Sequence, residues 1–129
     1  MNIRRVVFDT NILVSALLSP KGKPAKIYRM FLTRTLSMVF STYIFEEYQD
    51  VLFRPRLRIP ANDAEMVLAA IKQYGEKIEP VPSVTAMIDE DDRVFYDTAK
   101  SAGAYLITGN TKHYPHESFV LTPAEFLKL

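Results

Sequence analysis

Strands alternating with helices predict an α/β domain whose mostly parallel sheet is covered by helices on both faces. Three observations carry this reading. Short apolar runs at Ile3–Phe8, Leu36–Phe40 and Ala104–Thr108 have strand length and composition. Between them, apolar residues recur at helical spacing and are bounded by capping and stopping residues. Finally, 129 residues with 48% hydrophobic and 24% charged content are enough for one domain, spanning 1–129, with a real core.

The elements follow in order. Ile3–Phe8 is a strand ending at Asp9, with a short helix over Asn11–Leu18 after it. After a Ser19–Lys23 loop, Pro24 suits a first helical turn, and Ile27, Tyr28, Phe31 and Leu32 define its inner face. Strand Leu36–Phe40 leads, through a cap at Ser41 or Thr42, to a helix ending near Leu52, and Arg54-Pro55-Arg56 breaks the pattern. A helix from about Asp63 to Tyr74 follows, with Asn62 as cap, Met66, Val67, Ala70, Ile71 and Tyr74 inward, and Gly75 as stop. A short strand is expected over Lys77–Val81, then a helix over Asp92–Ala102 with Asp91 as cap and Gly103 as stop. Strands Ala104–Thr108 and Ser118–Leu121 close the sheet. Thr122-Pro123-Ala124-Glu125 opens a last helix with a capping box.

Composition removes several chemistries. There is no cysteine, so disulfides and thiolate metal sites are excluded. The four glycines are scattered, so no phosphate-cradling loop exists. No apolar run approaches a membrane span, and a soluble, cytoplasmic chain is expected. The net charge of +1 conceals an asymmetry: residues 1–58 hold ten Lys/Arg against four Asp/Glu, and residues 59–129 hold six against eleven. This suggests a basic surface for a polyanion beside an acidic centre, unless the halves interleave into a mixed surface.

The acids sort by position. In a doubly wound sheet the ligand crevice lies beyond the carboxyl ends of the strands. Asp9 ends the first strand, and Thr108-Gly109-Asn110 ends a later one. At about 100° per residue, Glu47 borders the apolar stripe of its helix while Glu46 and Asp50 point away. Asp92 shares a face with Phe95, Ala99 and Ala102, and Asp97 faces away. Asp9, Glu47 and Asp92 are therefore the inward acids at one edge. Three inward carboxylates without cations repel one another and resist ionisation, a conflict that a hard divalent ion such as Mg²⁺ or Mn²⁺ resolves. Such a centre suits phosphodiester hydrolysis. Taken singly, each acid has a plainer use: Asp9 as a helix cap, Asp92 at a helix dipole, Glu47 as a boundary residue.

The ordered set Val6-Val7-Phe8-Asp9-Thr10-Asn11-Ile12-Leu13-Val14-Ser15-Ala16, Glu46-Glu47-Tyr48, Asp89-Glu90-Asp91-Asp92-Arg93-Val94-Phe95 and Tyr105-Leu106-Ile107-Thr108-Gly109-Asn110 resembles the PIN-domain nucleases. It is nearest their VapC-type toxin group. The resemblance implies a three-layer α/β/α sandwich and a Mg²⁺- or Mn²⁺-dependent endoribonuclease. It also implies a homodimer or higher assembly and a protein antitoxin as partner. Asp9, Glu47 and Asp92 would then be the catalytic metal ligands, Asn11 would orient Asp9, and Thr108 would stand near water or phosphate. Many relatives place a fourth acid just after the later strand. Here Thr108 to His113 holds none, and Asn110 offers only a neutral oxygen, so one tightly held ion is the expectation.

Other residues carry weaker signals. Arg54, Arg56 and Arg58 are candidates for RNA phosphate contacts, a solvated loop being the equal alternative. His113 and His116 read as surface residues, and Tyr43 and Tyr48 as packing. Two competing functions stand beside the nuclease. One is a catalytically inactive PIN-like module that binds RNA or protein. The other is an aspartyl-nucleophile phosphatase, which Asn11 opposes because that chemistry wants an acid two residues after the nucleophile.

Overall fold

The computed structural model describes residues 3–129. In it β1 (Arg4–Phe8) leads into α1 (Thr10–Leu18) and α2 (Lys23–Leu32), and β2 (Leu36–Phe40) into α3 (Thr42–Leu52) and α4 (Ala61–Tyr74). Then come β3 (Glu76–Lys77), α5 (Arg93–Ala102), β4 (Tyr105–Ile107), β5 (Val120–Leu121) and α6 (Pro123–Leu127). All strand pairs are parallel, in the order β3-β2-β1-β4-β5. The chain builds outward from β1 on one side and then returns to its other side. The reversal between β1 and β4 is the switch point where such sheets open a crevice.

Neighbouring strand residues point to opposite faces. Arg5 donates to the carbonyl of Ala102 at the end of α5, whereas the Arg4 guanidinium lies 4.8 Å from the centre of the Phe126 ring in α6. Helices α5 and α6 therefore cover opposite faces, with α5 across β1, β2 and β4, and α2 against α6 and β2. The result is the expected α/β/α sandwich. Val6, Val7 and Phe8 are all fully buried, as a central strand covered on both faces requires.

Local chemistry sets several boundaries as read. The Ser41 hydroxyl accepts from the Ile44 amide at 3.2 Å and starts α3. Thr122 and Glu125 form the reciprocal capping box of α6. Gly103 ends α5 in the left-handed region, at φ 64°, where a side chain would be strained.

Other expectations are corrected. Helix α4 starts at Ala61 after Pro60 rather than at an Asn62 cap. Its buried stripe is Ala64, Val67, Leu68 and Ile71, which turns Met66 out to solvent. Tyr74 is also half exposed, under the Arg34 guanidinium. The strand expected over Lys77–Val81 is only Glu76–Lys77. Ahead of α5, Asp89 rather than Asp91 caps a short 3₁₀ turn, Glu90–Asp92, by accepting from the Asp91 amide at 3.0 Å. Tyr43 is exposed, while Tyr48 is buried as expected.

The largest departure is Asp97, which is buried instead of facing water. The irregular segment 78–89 runs over that side of α5 as a strap, and the Ser83 amide donates to Asp97 Oδ2 at 3.1 Å. Arg93 clamps the same segment, donating to the Ser83 carbonyl at 2.9 Å and the Thr85 carbonyl at 2.7 Å while pairing with Glu90. Replacing Arg93 with Ala is expected to raise hydrogen exchange at the Ser83 amide while leaving the amides of β1 and β4 protected. Unchanged exchange there would show that Asp97 and Ser101, which accept from the Ser83 and Val81 amides, hold the strap without Arg93.

Candidate active site

The carboxyl ends of β1 and β4 lie side by side, and the Asp9 amide donates to the Ile107 carbonyl at 3.0 Å. Asp9 thus leaves β1 at the switch point, next to Thr108. The Thr108 hydroxyl donates to Asp9 Oδ2 at 3.0 Å, and the Tyr114 hydroxyl donates to the same oxygen at 3.1 Å. Thr108 in turn accepts from the Asn110 amide at 3.2 Å, so its single proton is directed at Asp9.

Glu47 reaches the crevice from the second turn of α3. Its Oε2 accepts from the Thr10 hydroxyl, the residue after Asp9. The buried Tyr48 beside it donates to the Phe8 carbonyl at the end of β1. Asp92 arrives from the third direction, at the residue before α5. Its carboxyl is pushed up to about 6, first by burial, then by the charges of Asp9, Asp89 and Glu47, with His113 opposing. The Tyr114 hydroxyl is pushed far above its ordinary range by burial and by Asp9 and Asp92. For Tyr48, burial, Asp9 and Glu47 have the same effect. Asp92, Tyr48 and Tyr114 thus all lie within reach of the charges at Asp9 or Glu47.

Among the described residues, the ion pairs join Arg5 to Glu76, Arg54 to Asp50 and Arg93 to Glu90. None involves Asp9, Glu47 or Asp92. The crevice is thus an oxygen-only anionic set without a lysine or arginine to neutralise it, a donor chemistry that fits a hard cation. Among the described residues, no three His, Cys, Asp or Glu side chains already stand in ligand geometry. Glu47 is turned to Thr10, and one Asp9 oxygen is taken by two hydroxyls.

The other candidates separate. Asn11 is exposed at the start of α1, and the donors that Asp9 receives are Thr108 and Tyr114. Asn110 is exposed, and its Oδ1 accepts from the Lys112 amide at 3.2 Å, capping the 3₁₀ turn Thr111–His113. Arg54 is committed to Asp50 at 2.8 Å, whereas Arg56 and Arg58 are exposed. His113 and His116 are exposed, as read. Tyr114 and Thr10 escaped sequence reasoning. Thr10 adjoins Asp9, and its hydroxyl on Glu47 depends on where α3 packs. Tyr114 lies in an irregular loop with no periodic pattern to direct it inward.

The family model of the PIN domain matches residues 5–112, a span that includes Asp9, Glu47, Asp92, Thr108 and Asn110. The chain belongs to the PIN domain family. PIN domains are generally nucleases. This PIN domain is 29% identical over 109 residues to an uncharacterised protein of Methanocaldococcus jannaschii, a match covering 82% of this chain and 70% of that protein. Its fold is similar to a chain in the crystal structure of VapBC2 from Rickettsia felis bound to a DNA fragment from their promoter. The TM-score is 0.58 at 16% identity, covering 86% of this chain and 93% of that one. At that identity the likeness speaks for the fold. No helix among the described residues is long and apolar enough to cross a membrane.

Proposed function

We propose that this PIN domain is a Mg²⁺- or Mn²⁺-dependent endoribonuclease and the toxin of a toxin–antitoxin pair, working in the cytoplasm. The observation that carries the reading is the crevice at the switch point. Support comes from the placement of Asp9 at the end of β1 and of Asp92 just before α5. None of the ion pairs among the described residues involves Asp9, Glu47 or Asp92, and Asp92 is raised to about 6 by burial and its acidic neighbours.

Asp9, Asp92 and Glu47 would hold the ion. When bound, it supplies charge neutralisation and polarises a phosphate oxygen. Asp9 presents one oxygen from a carboxylate held by Thr108 and Tyr114. Glu47, anchored to Thr10 through Oε2, has Oε1 to orient the attacking water. The water attacks phosphorus in line with the leaving 3′-oxygen and yields 5′-phosphate and 3′-hydroxyl ends. Arg56 and Arg58, both exposed, would hold the RNA backbone, giving cleavage that weakens with salt. A homodimer or larger assembly and a protein antitoxin belong to the same reading, supported by the fold shared with the VapBC2 complex.

Incubation of the purified chain with single-stranded RNA should give cleavage with Mg²⁺ or Mn²⁺, none with EDTA, and recovery on adding metal back. RNA binding without cleavage at millimolar metal would instead favour a catalytically inactive binding module. The neutral Asn110 and the absence, among the described residues, of a preformed three-ligand cluster are consistent with that alternative. Growth arrest on expression, relieved by a co-expressed neighbouring gene product, would test the toxin assignment separately.

A further inference from the structure

We propose that Tyr114 is a positioning residue for Asp9, and that the loop after β4 is shaped to deliver its hydroxyl. Tyr114 is only 4% exposed, and it meets Asp9 Oδ2 from 105 positions away in sequence. The loop accounts for the delivery. Asn110 Oδ1 accepts from the Lys112 amide, the His113 amide returns to the Asn110 carbonyl at 3.2 Å, and the Tyr114 amide returns to the Thr111 carbonyl at 3.1 Å. One tight turn therefore folds the chain back and points Tyr114 at the end of β1. Asn110 acts here as the cap of that turn.

The chemistry at Asp9 follows from counting protons and lone pairs. A carboxylate oxygen has two acceptor positions. Thr108 and Tyr114 each have one hydroxyl proton, and both are spent on Oδ2. That fixes the carboxylate plane and leaves Oδ1 as the oxygen offered to the crevice, so Asp9 binds an ion through a single oxygen. A neutral donor also adds no negative charge to a crowded anionic centre, as a fourth acid in this loop would. The ring has a further role: Tyr114 lines a cavity of about 580 Å³ together with Lys112, His116, Glu117 and Val120. Tyr114→Phe keeps that wall and removes only the hydroxyl.

The consequence for the ion rests on the nuclease reading, whereas the hydrogen bond does not. In the full chain, Tyr114→Phe removes the hydroxyl and retains the wall. The Asp9 side-chain carboxyl ¹³C resonance, recorded without metal, should move. Mn²⁺ affinity should weaken by about 10-fold, in the range typical of lost outer-shell partners. At fixed subsaturating Mg²⁺, kcat should fall while KM for RNA stays unchanged. Asn110→Ala, which loosens the turn but keeps Tyr114, should shift the same resonance in the same direction. An unmoved resonance in both variants overturns the proposal. So does unaltered Mn²⁺ affinity in Tyr114→Phe when the wild type binds the ion. If the wild type neither binds Mn²⁺ nor cuts RNA, the nuclease reading fails, and the resonance still decides whether Tyr114 positions Asp9.

Discussion

Asp9→Asn is expected to lower Mg²⁺-dependent RNA cleavage by more than about 100-fold, the upper end of what loss of an outer-shell partner costs, because Asp9 is proposed to touch the ion itself. The substitution is nearly isosteric. The amide oxygen can still accept from Thr108 and Tyr114, which meet the native side chain at 3.0 and 3.1 Å. What disappears is one charge at the switch point. That charge now opposes ionisation of Asp92, so its removal relieves repulsion instead of opening a hole in the core. The variant should therefore melt at or slightly above the wild-type temperature while losing activity. Gel assays of RNA cleavage beside thermal melts separate the two effects. A folded Asp9→Asn chain that cuts RNA within a few-fold of wild type would remove Asp9 from the centre. Equal loss of structure and activity would mean that Asp9 serves the fold by tying down Thr108 and Tyr114, since its side chain makes no cap to α1.

Much of this architecture was legible because local chemistry and burial agreed. The β1, β2 and α3 boundaries follow from apolar runs closed by Asp9 and Ser41, and Asp92 feels the charges of Asp9 and Glu47, although among the described residues the three do not stand as a ready ligand cluster. What periodicity missed depends on segments that have no period. Asp97 sits on the polar side of its helix by phase, yet the strap crosses that side and buries it. Tyr114 follows a non-repeating turn, so no sequence pattern aims it at Asp9. Met66 has the apolar character of a core residue, but the stripe of α4 is centred one residue further on, at Val67. Even the cap at Asp89 is a loop interaction, set by the 3₁₀ turn rather than by the helix that follows.

Gly75 shows the same limit in a form that stability can test. A glycine after a helical run reads as a left-handed stop, but Gly75 has φ −74° and ψ 163°, open to any residue. Its requirement is space. A Cβ there would lie 2.5 Å from the Ile71 carbonyl oxygen and 2.9 Å from a ring carbon of Phe40. The carbonyl is backbone and also accepts from the Gly75 amide at 2.8 Å, so it cannot swing away without losing that bond. Phe40 is buried at the end of β2, where it pairs with Lys77 and Val39 pairs with Glu76. Gly75→Ala must therefore push α4 from the sheet or pull β3 off its edge. Overpacking of this kind costs about 1–3 kcal/mol. Reduced freedom in the unfolded chain returns only about 0.4–1 kcal/mol. The net expectation is a melting temperature lower by several degrees, at roughly 3–5 °C per kcal/mol for a chain of this size. Gly109→Ala, with nothing within 4 Å of its added carbon, keeps that gain unopposed and should melt about 1–5 °C above wild type. Hydrogen exchange can locate the loss, since the Ile78 amide donates to the Phe40 carbonyl at 2.9 Å and should lose protection first. A Gly75→Ala chain that melts at the wild-type temperature would show that α4 and β2 can part without strain, and that close approach is not what holds glycine at this corner.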